Sequence, residues 1–201
     1  MPAKPVPARA GHPAVVCTVT LLDLHSHRYA VSITVNQPAA LQRVSLPVWI
    51  PGSYLVREFS KNLQHLNARQ GRREVAARQL DKNTWELDCN RAVPLRLRYE
   101  IAAFDNSVRS AWLDAQRGFF NGTSMFLRVH GREDEAHGLD VRAGAAPKDW
   151  KLATGLHCVD AAASGFGRYL ADNYDELVEH QWRWDVSGKG SLPAVVCATA
   201  W

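Results

Sequence analysis

Long apolar runs, paired cysteines and helical periodicity are all missing from this 201-residue chain. No stretch approaches the ~20 consecutive apolar residues that a membrane-spanning helix needs, so no membrane partner is expected. The opening, MPAKPVPARAGHP, has no apolar core behind its basic residues. It reads as a flexible head over residues 1–13 rather than a secretory leader, which makes a cytoplasmic location the default. Cys17, Cys89, Cys158 and Cys197 are isolated, with no C-x-x-C among them. That density does not suit a disulfide framework, and a reducing compartment suits all four. Cys17, inside an apolar run, reads as a small buried hydrophobe.

Concentrated charge is also lacking. Net charge is +4, and the basic residues are spread along the chain. The two densest groups are RQGRRE (69–74) and RLRYE (96–100). The first surrounds Gly71 and reads as a solvated hairpin tip. In the second, Arg96 and Arg98 alternate with Leu95, Leu97 and Tyr99, as on the wet face of a strand. Neither supports nucleic-acid binding.

What is present is strand after strand. AVVCTVTLLDL is rich in β-branched residues, and HRYAVSITVNQ puts Tyr29, Val31, Ile33 and Val35 on one face. LQRVSLPVWI alternates Leu41, Val44, Leu46 and Val48 less strictly, TWELDC alternates cleanly, and VPLRLRYEIAAF is the longest regular strand. After Phe104 the pattern turns irregular, mixing turn residues with aromatics before a strand expected at 125–129. GRYLADNYDEL suggests one or two helical turns near the end. Short turns between strands predict a mainly β fold, an antiparallel β-sandwich or saddle with little helix.

The least ordinary stretch is LPVWIPGSYLVREFSKNLQ (46–64). Pro51 fixes φ and Gly52 admits positive φ, so Ile50-Pro51-Gly52-Ser53 fits a type II turn. Trp49 and Tyr54 flank the reversal, and Arg57 is placed to bond the turn's carbonyls or stack on a ring. From physics alone, a well-packed corner of a sandwich accounts for these residues more simply.

PVWIPGSYLVREFSKNLQHLNA resembles the N-terminal region of the glycyl aminopeptidase family of zinc metallopeptidases. AFDNSVRSAWLDAQRGFFNGTSMFLRVHG (103–131) and YDELVEH (174–180) are similar to the same family at the expected places downstream. The resemblance covers roughly residues 14–180. It implies a β-rich N-terminal domain packed against a thermolysin-like catalytic domain, and so a noncatalytic piece of a hydrolase. That family's chemistry needs H-E-x-x-H on a helix, where two histidines one turn apart hold Zn²⁺ and the glutamate is the general base. No such pentapeptide occurs here. His25 and His27 are two apart and could share one face of a strand, but a hairpin end accounts for them more simply. No metal is expected on this chain, and zinc is implied only for a missing catalytic domain. The chain alone is not expected to hydrolyse peptides.

The resemblance further implies that such a domain walls one side of a substrate cleft, where a polar loop group can meet a peptide's free N-terminus. FFNGTS is the best local candidate. Asn121 and Thr123 offer side-chain oxygens, and Gly122 permits close backbone approach, but a tight turn entering a strand would use the same residues. Asp105, Arg109 and Trp112 read as organisers of this loop. An independent alternative is a stand-alone β-sandwich module that recruits a protein partner through the corner between Trp49 and Phe59.

The ending departs from the family pattern. After YDELVEH the family continues Pro-Val-Glu-Met-Gly, whereas this chain reads QWRWDVSGKGSLPAVVCATAW. One permitted codon set for residues 180–185 is CAC CAG TGG AGA TGG GAC. A single C restored after the first codon gives His-Pro-Val-Glu-Met-Gly. Residues 181–201 are therefore expected to be a frameshifted tail.

Overall fold

The alternating runs become sixteen strands in a computed structural model that describes residues 13–50 and 55–186. They are β1 (Val15–Asp23), β2 (Arg28–Val35), β3 (Leu41–Ser45), β4 (Leu63–Gln70), β5 (Arg73–Val75), β6 (Ala77–Gln79), β7 (Thr84–Asp88) and β8 (Leu95–Ala102). These are followed by β9 (Ala111–Leu113), β10 (Arg117–Asn121), β11 (Arg128–Val129), β12 (His137–Arg142), β13 (Trp150–Thr154), β14 (His157–Ala161), β15 (Gly167–Ala171) and β16 (Gln181–Val186). The fold is mainly β, and the described residues include one short α-helix, α1 (Tyr174–Glu179). No helix among the described residues is long and apolar enough to cross a membrane.

An eight-stranded sheet runs β14-β15-β12-β1-β2-β8-β4-β5. Its pairs are antiparallel except β1 with β12, which is parallel. Two four-stranded sheets, β13-β16-β10-β9 and β11-β3-β7-β6, complete the molecule. Strict alternation fixes the inner face of the large sheet. Val15, Cys17, Val19 and Leu21 lie beside Tyr29, Val31, Ile33 and Val35, then Leu95, Leu97, Tyr99 and Ile101, all buried in one cluster. Each such side chain contributes about 1.5–3 kcal/mol through burial, and a one-residue slip would turn the whole set to water. Burial pushes the Cys17 thiol up to about 12, so it stays protonated and inert.

Several expectations need correction. Leu41 is more than half exposed, and Gln42 takes the inward place, its amide donating to the Arg43 and His130 carbonyls and accepting from Ala39 N–H. The hydrogen bonds replace what water would supply, so the polar residue can be buried. The strand expected at 125–129 is reduced to Arg128–Val129, because residues 122–124 form a 3-10 turn. Residues 167–171 are a strand rather than helix. The helix starts only at Tyr174, where the Asn173 side chain caps Glu176 N–H and Glu176 reaches back to Asp172 N–H. Cys17 and Cys89 are free, but Cys158, buried on β14, is disulfide-bonded.

The head over residues 1–12 lies outside the described residues, as does 187–201. The first six residues of the expected tail do lie within the fold. β16 sits between β10 and β13, with Trp182 and Trp184 turned inward and fully buried. Trp184 packs edge-on to Tyr29, and Trp182 stacks on Phe120 and meets the edge of Tyr169.

Candidate functional site

The family-like blocks at 46–64 and 103–131 meet at one end of the large sheet, where β8 stops. Phe59, which opens a 3-10 turn at Phe59–Asn62, is buried beside β4 and β8, and Leu63 pairs with Ile101. Ala103 N–H donates to the His27 carbonyl, so the 103–110 loop leaves from that same end.

In the first block, Arg57 N–H donates to the Val48 carbonyl at 2.7 Å and closes the corner. The Arg57 Nε is buried and meets no acceptor among the described residues. Pro51, Gly52 and Tyr54, and with them the expected type II turn, lie outside the described residues. On either side of that gap Trp49 is 51% exposed, Leu55 64% and Val56 75%.

In the second block the polar residues organise the loop. Asp105 accepts from Ser107 N–H, and Arg109 N–H reaches the Ser107 hydroxyl. The Trp112 indole donates to Asp114 at 2.8 Å. Burial works to raise the Asp114 carboxyl. The N–H groups of Gln116 and Arg117, the Trp112 indole and the Arg117 charge outweigh it and hold the group below its ordinary value. Phe104, 67% exposed, stacks on Trp112 with ring centroids 5.0 Å apart, and His27 lies 4.5 Å from Phe104. One His27 ring nitrogen bonds the Leu113 carbonyl. His27 is thus part of an aromatic cluster rather than a metal pair with His25. Val108 on the same loop is 65% exposed.

Asn121, Gly122 and Thr123 are buried. The Asn121 side-chain oxygen accepts from Thr123 N–H at 3.0 Å and from the Thr123 hydroxyl. The close approach that Gly122 permits is to α1: a Cβ there would stand 2.5 Å from Val178 Cα. Three buried phenols brace this half. Tyr29 donates to the Trp112 carbonyl, Tyr99 to that of Met125 and Tyr174 to that of Phe126, each at 2.7–2.8 Å. Burial raises all three well above the ordinary tyrosine value, so they stay protonated donors. The block at 174–180 therefore packs on the block at 103–131 through Tyr174 and Val178. Among the described residues no group of three or more His, Cys, Asp or Glu side chains could hold a metal ion.

The model for the Peptidase M61 N-terminal domain matches residues 17–180. The chain belongs to that family. An aminopeptidase N family protein from Idiomarina loihiensis is 38% identical with a TM-score of 0.82, and the match covers 85% of this chain and 29% of that one. An M1 zinc metallopeptidase from Deinococcus radiodurans aligns at 11% identity and TM-score 0.46, over 85% of this chain and 41% of its own. Legionella pneumophila aminopeptidase A, solved with aspartic acid, aligns at 8% identity and TM-score 0.49, over 87% and 21%. This chain therefore spans less than a third of the length of the Idiomarina protein. No curated protein matches it.

Sequence reasoning missed Phe104, Leu55, Val56 and Val108 as a group. The available signal was large apolar residues set among turn formers, where burial would not be expected.

Proposed function

We propose that this M61 N-terminal domain is the noncatalytic wall of a zinc aminopeptidase of the glycyl aminopeptidase kind, lining one side of a cleft that a catalytic half completes. The observation that carries the reading is the apolar end. Trp49, Leu55, Val56, Phe104 and Val108 are all more than half exposed; the first three precede β4, whose first residue Leu63 pairs with Ile101 near the end of β8, and the last two follow β8 directly. Exposed apolar surface concentrated in this way marks an interaction site. Asn121, Gly122 and Thr123 are buried, the Asn121 side-chain oxygen taken by Thr123 and Gly122 seated against α1. Zinc belongs to the catalytic half, and the ligand of the finished cleft is a peptide N-terminus.

The test is complementation. The full chain, mixed with the zinc-bearing half of an intact M61 relative made separately, should form a one-to-one complex that releases N-terminal glycine or alanine. Phe104→Asp and Val56→Asp, both at exposed positions, should weaken the complex at least tenfold while leaving the melting temperature within a few degrees. A compact, monodisperse monomer that ignores the catalytic half would instead favour a self-sufficient binding module built on the corner between Trp49 and Phe59.

We also infer that residues 181–201 come from a shifted reading frame. The family match ends at residue 180. The inward places on β16 hold tryptophans, and the Trp182 indole N–H is buried without an acceptor among the described residues. The Tyr29 hydroxyl donates to the Trp112 carbonyl and its oxygen remains able to accept from the Trp184 indole, so the donor left unmet is that of Trp182. A buried unmet donor costs about 1–3 kcal/mol, a cost that valine and methionine would not carry. Gene sequencing decides the point: codons for 180–185 that cannot yield the family pattern by one inserted base would end this reading.

A further inference from the structure

The two basic groups that look separate in the sequence are neighbours in the fold. Arg69 on β4 lies directly opposite Arg96 on β8, and Asn67 lies opposite Arg98. On the other side of β8, Thr34 faces Arg96 and Ser32 faces Arg98. All three arginines are exposed on the outer face of the large sheet. Like charges placed directly across a strand pair destabilise it, and among the described residues no carboxylate is in direct ion-pair contact with either arginine. Eight ion pairs occur among the described residues, and none includes Arg69, Arg96 or Arg98. Glu74 lies directly opposite Arg69 on β5, with its carboxylate turned to accept from the Asn67 amide rather than from the guanidinium. Glu100, next along β8, is taken by Arg28.

These side chains line a groove of about 590 Å³, closed at one end by Gly71, Val93 and Pro94. That end is built rather than loose. Buried Gln70 donates to the Asn90 and Val93 carbonyls and accepts from Asn90 N–H, which pins the 90–93 loop against β4. We propose that this groove binds a phosphoryl group, free or carried on a small molecule. Three guanidinium groups on adjacent strands and alternate positions stand roughly 5–7 Å apart at their backbones. That is close enough for their planar forks to converge on one tetrahedral anion, with the Thr34 hydroxyl as a further donor. The site lies on the polar face, away from the apolar end, and does not depend on the peptidase reading.

Titration calorimetry on the full chain tests this with tripolyphosphate and with ADP. Saturable one-site binding that weakens as salt rises is expected. Response to tripolyphosphate alone would assign a free phosphate, and response to both would assign an esterified one. Arg69→Gln and Arg96→Gln should each weaken binding about tenfold. Without ligand, either change should leave the melting temperature unchanged or raise it, because the like-charge pair is gone. No saturable binding, undiminished binding by the doubly substituted chain, or equal binding of a hexaglutamate peptide would overturn the proposal.

Discussion

The strands β1, β2 and β8 and the segment from Phe104 to Val129 hold comparable numbers of buried residues by different means. In the strands, repetition does the work: inward side chains are aliphatic or aromatic, neighbours are interchangeable in kind, and the backbone ladder supplies the polar pairing. In the segment, strands shrink to a few residues, and single contacts stand in for the ladder. Tyr99 holds Met125 and Leu127, Tyr174 holds Phe126, and Gly122 seats the turn against α1. A surface made by repetition tolerates small errors, whereas one made by single contacts concentrates stability in a few atoms.

The widest gap between the two should appear at Gly122. A methyl group there meets backbone, which cannot step aside, so Gly122→Ala should lose about 3 kcal/mol in urea unfolding. Next is Tyr99→Phe, which strips a donor from the Met125 carbonyl and an acceptor from Leu127 N–H. About 2 kcal/mol should go, from groups left buried and unpaired. Ile33→Val, in the heart of the repeating sheet, should cost only about 1 kcal/mol. A larger loss at Ile33 than at Tyr99 would erase the distinction.

The smallest effect is one of pH. His137 is buried on β12, one ring nitrogen on the Glu135 carbonyl and the other without a partner. Burial lowers its pKa below the ordinary 6.5, against smaller upward pulls from Glu135 and Glu133. The unfolded chain thus binds the proton more readily. Stability is complete above that value and declines as pH falls through it toward the folded-state pKa. His137→Gln should flatten the denaturation midpoint between pH 7 and 5, and an unchanged slope would show that other groups set it.

Legibility followed the same division. Tyr29, Val31, Ile33 and Val35 could be assigned to the core from alternation alone, because a half-buried strand repeats every second residue. Gln42 could not, since its burial depends on carbonyls from Arg43 and from His130, far along the chain. The loop 121–124 was visible as special but not as interior, because the helix that covers it follows some fifty residues later. Arg69 and Arg96 read separately as wet surface, and only the β4–β8 register makes them a pair.

Composition, alternation and the three family-like blocks were enough by themselves to specify a β-built domain of a peptidase family without that family's zinc motif, since these are local properties of the chain. Which polar groups are inside, which apolar ones stay exposed, and which charges face each other were decided only by tertiary structure. Hydrogen bonds, burial and Coulomb repulsion act between neighbours in space, and strand pairing chooses those neighbours.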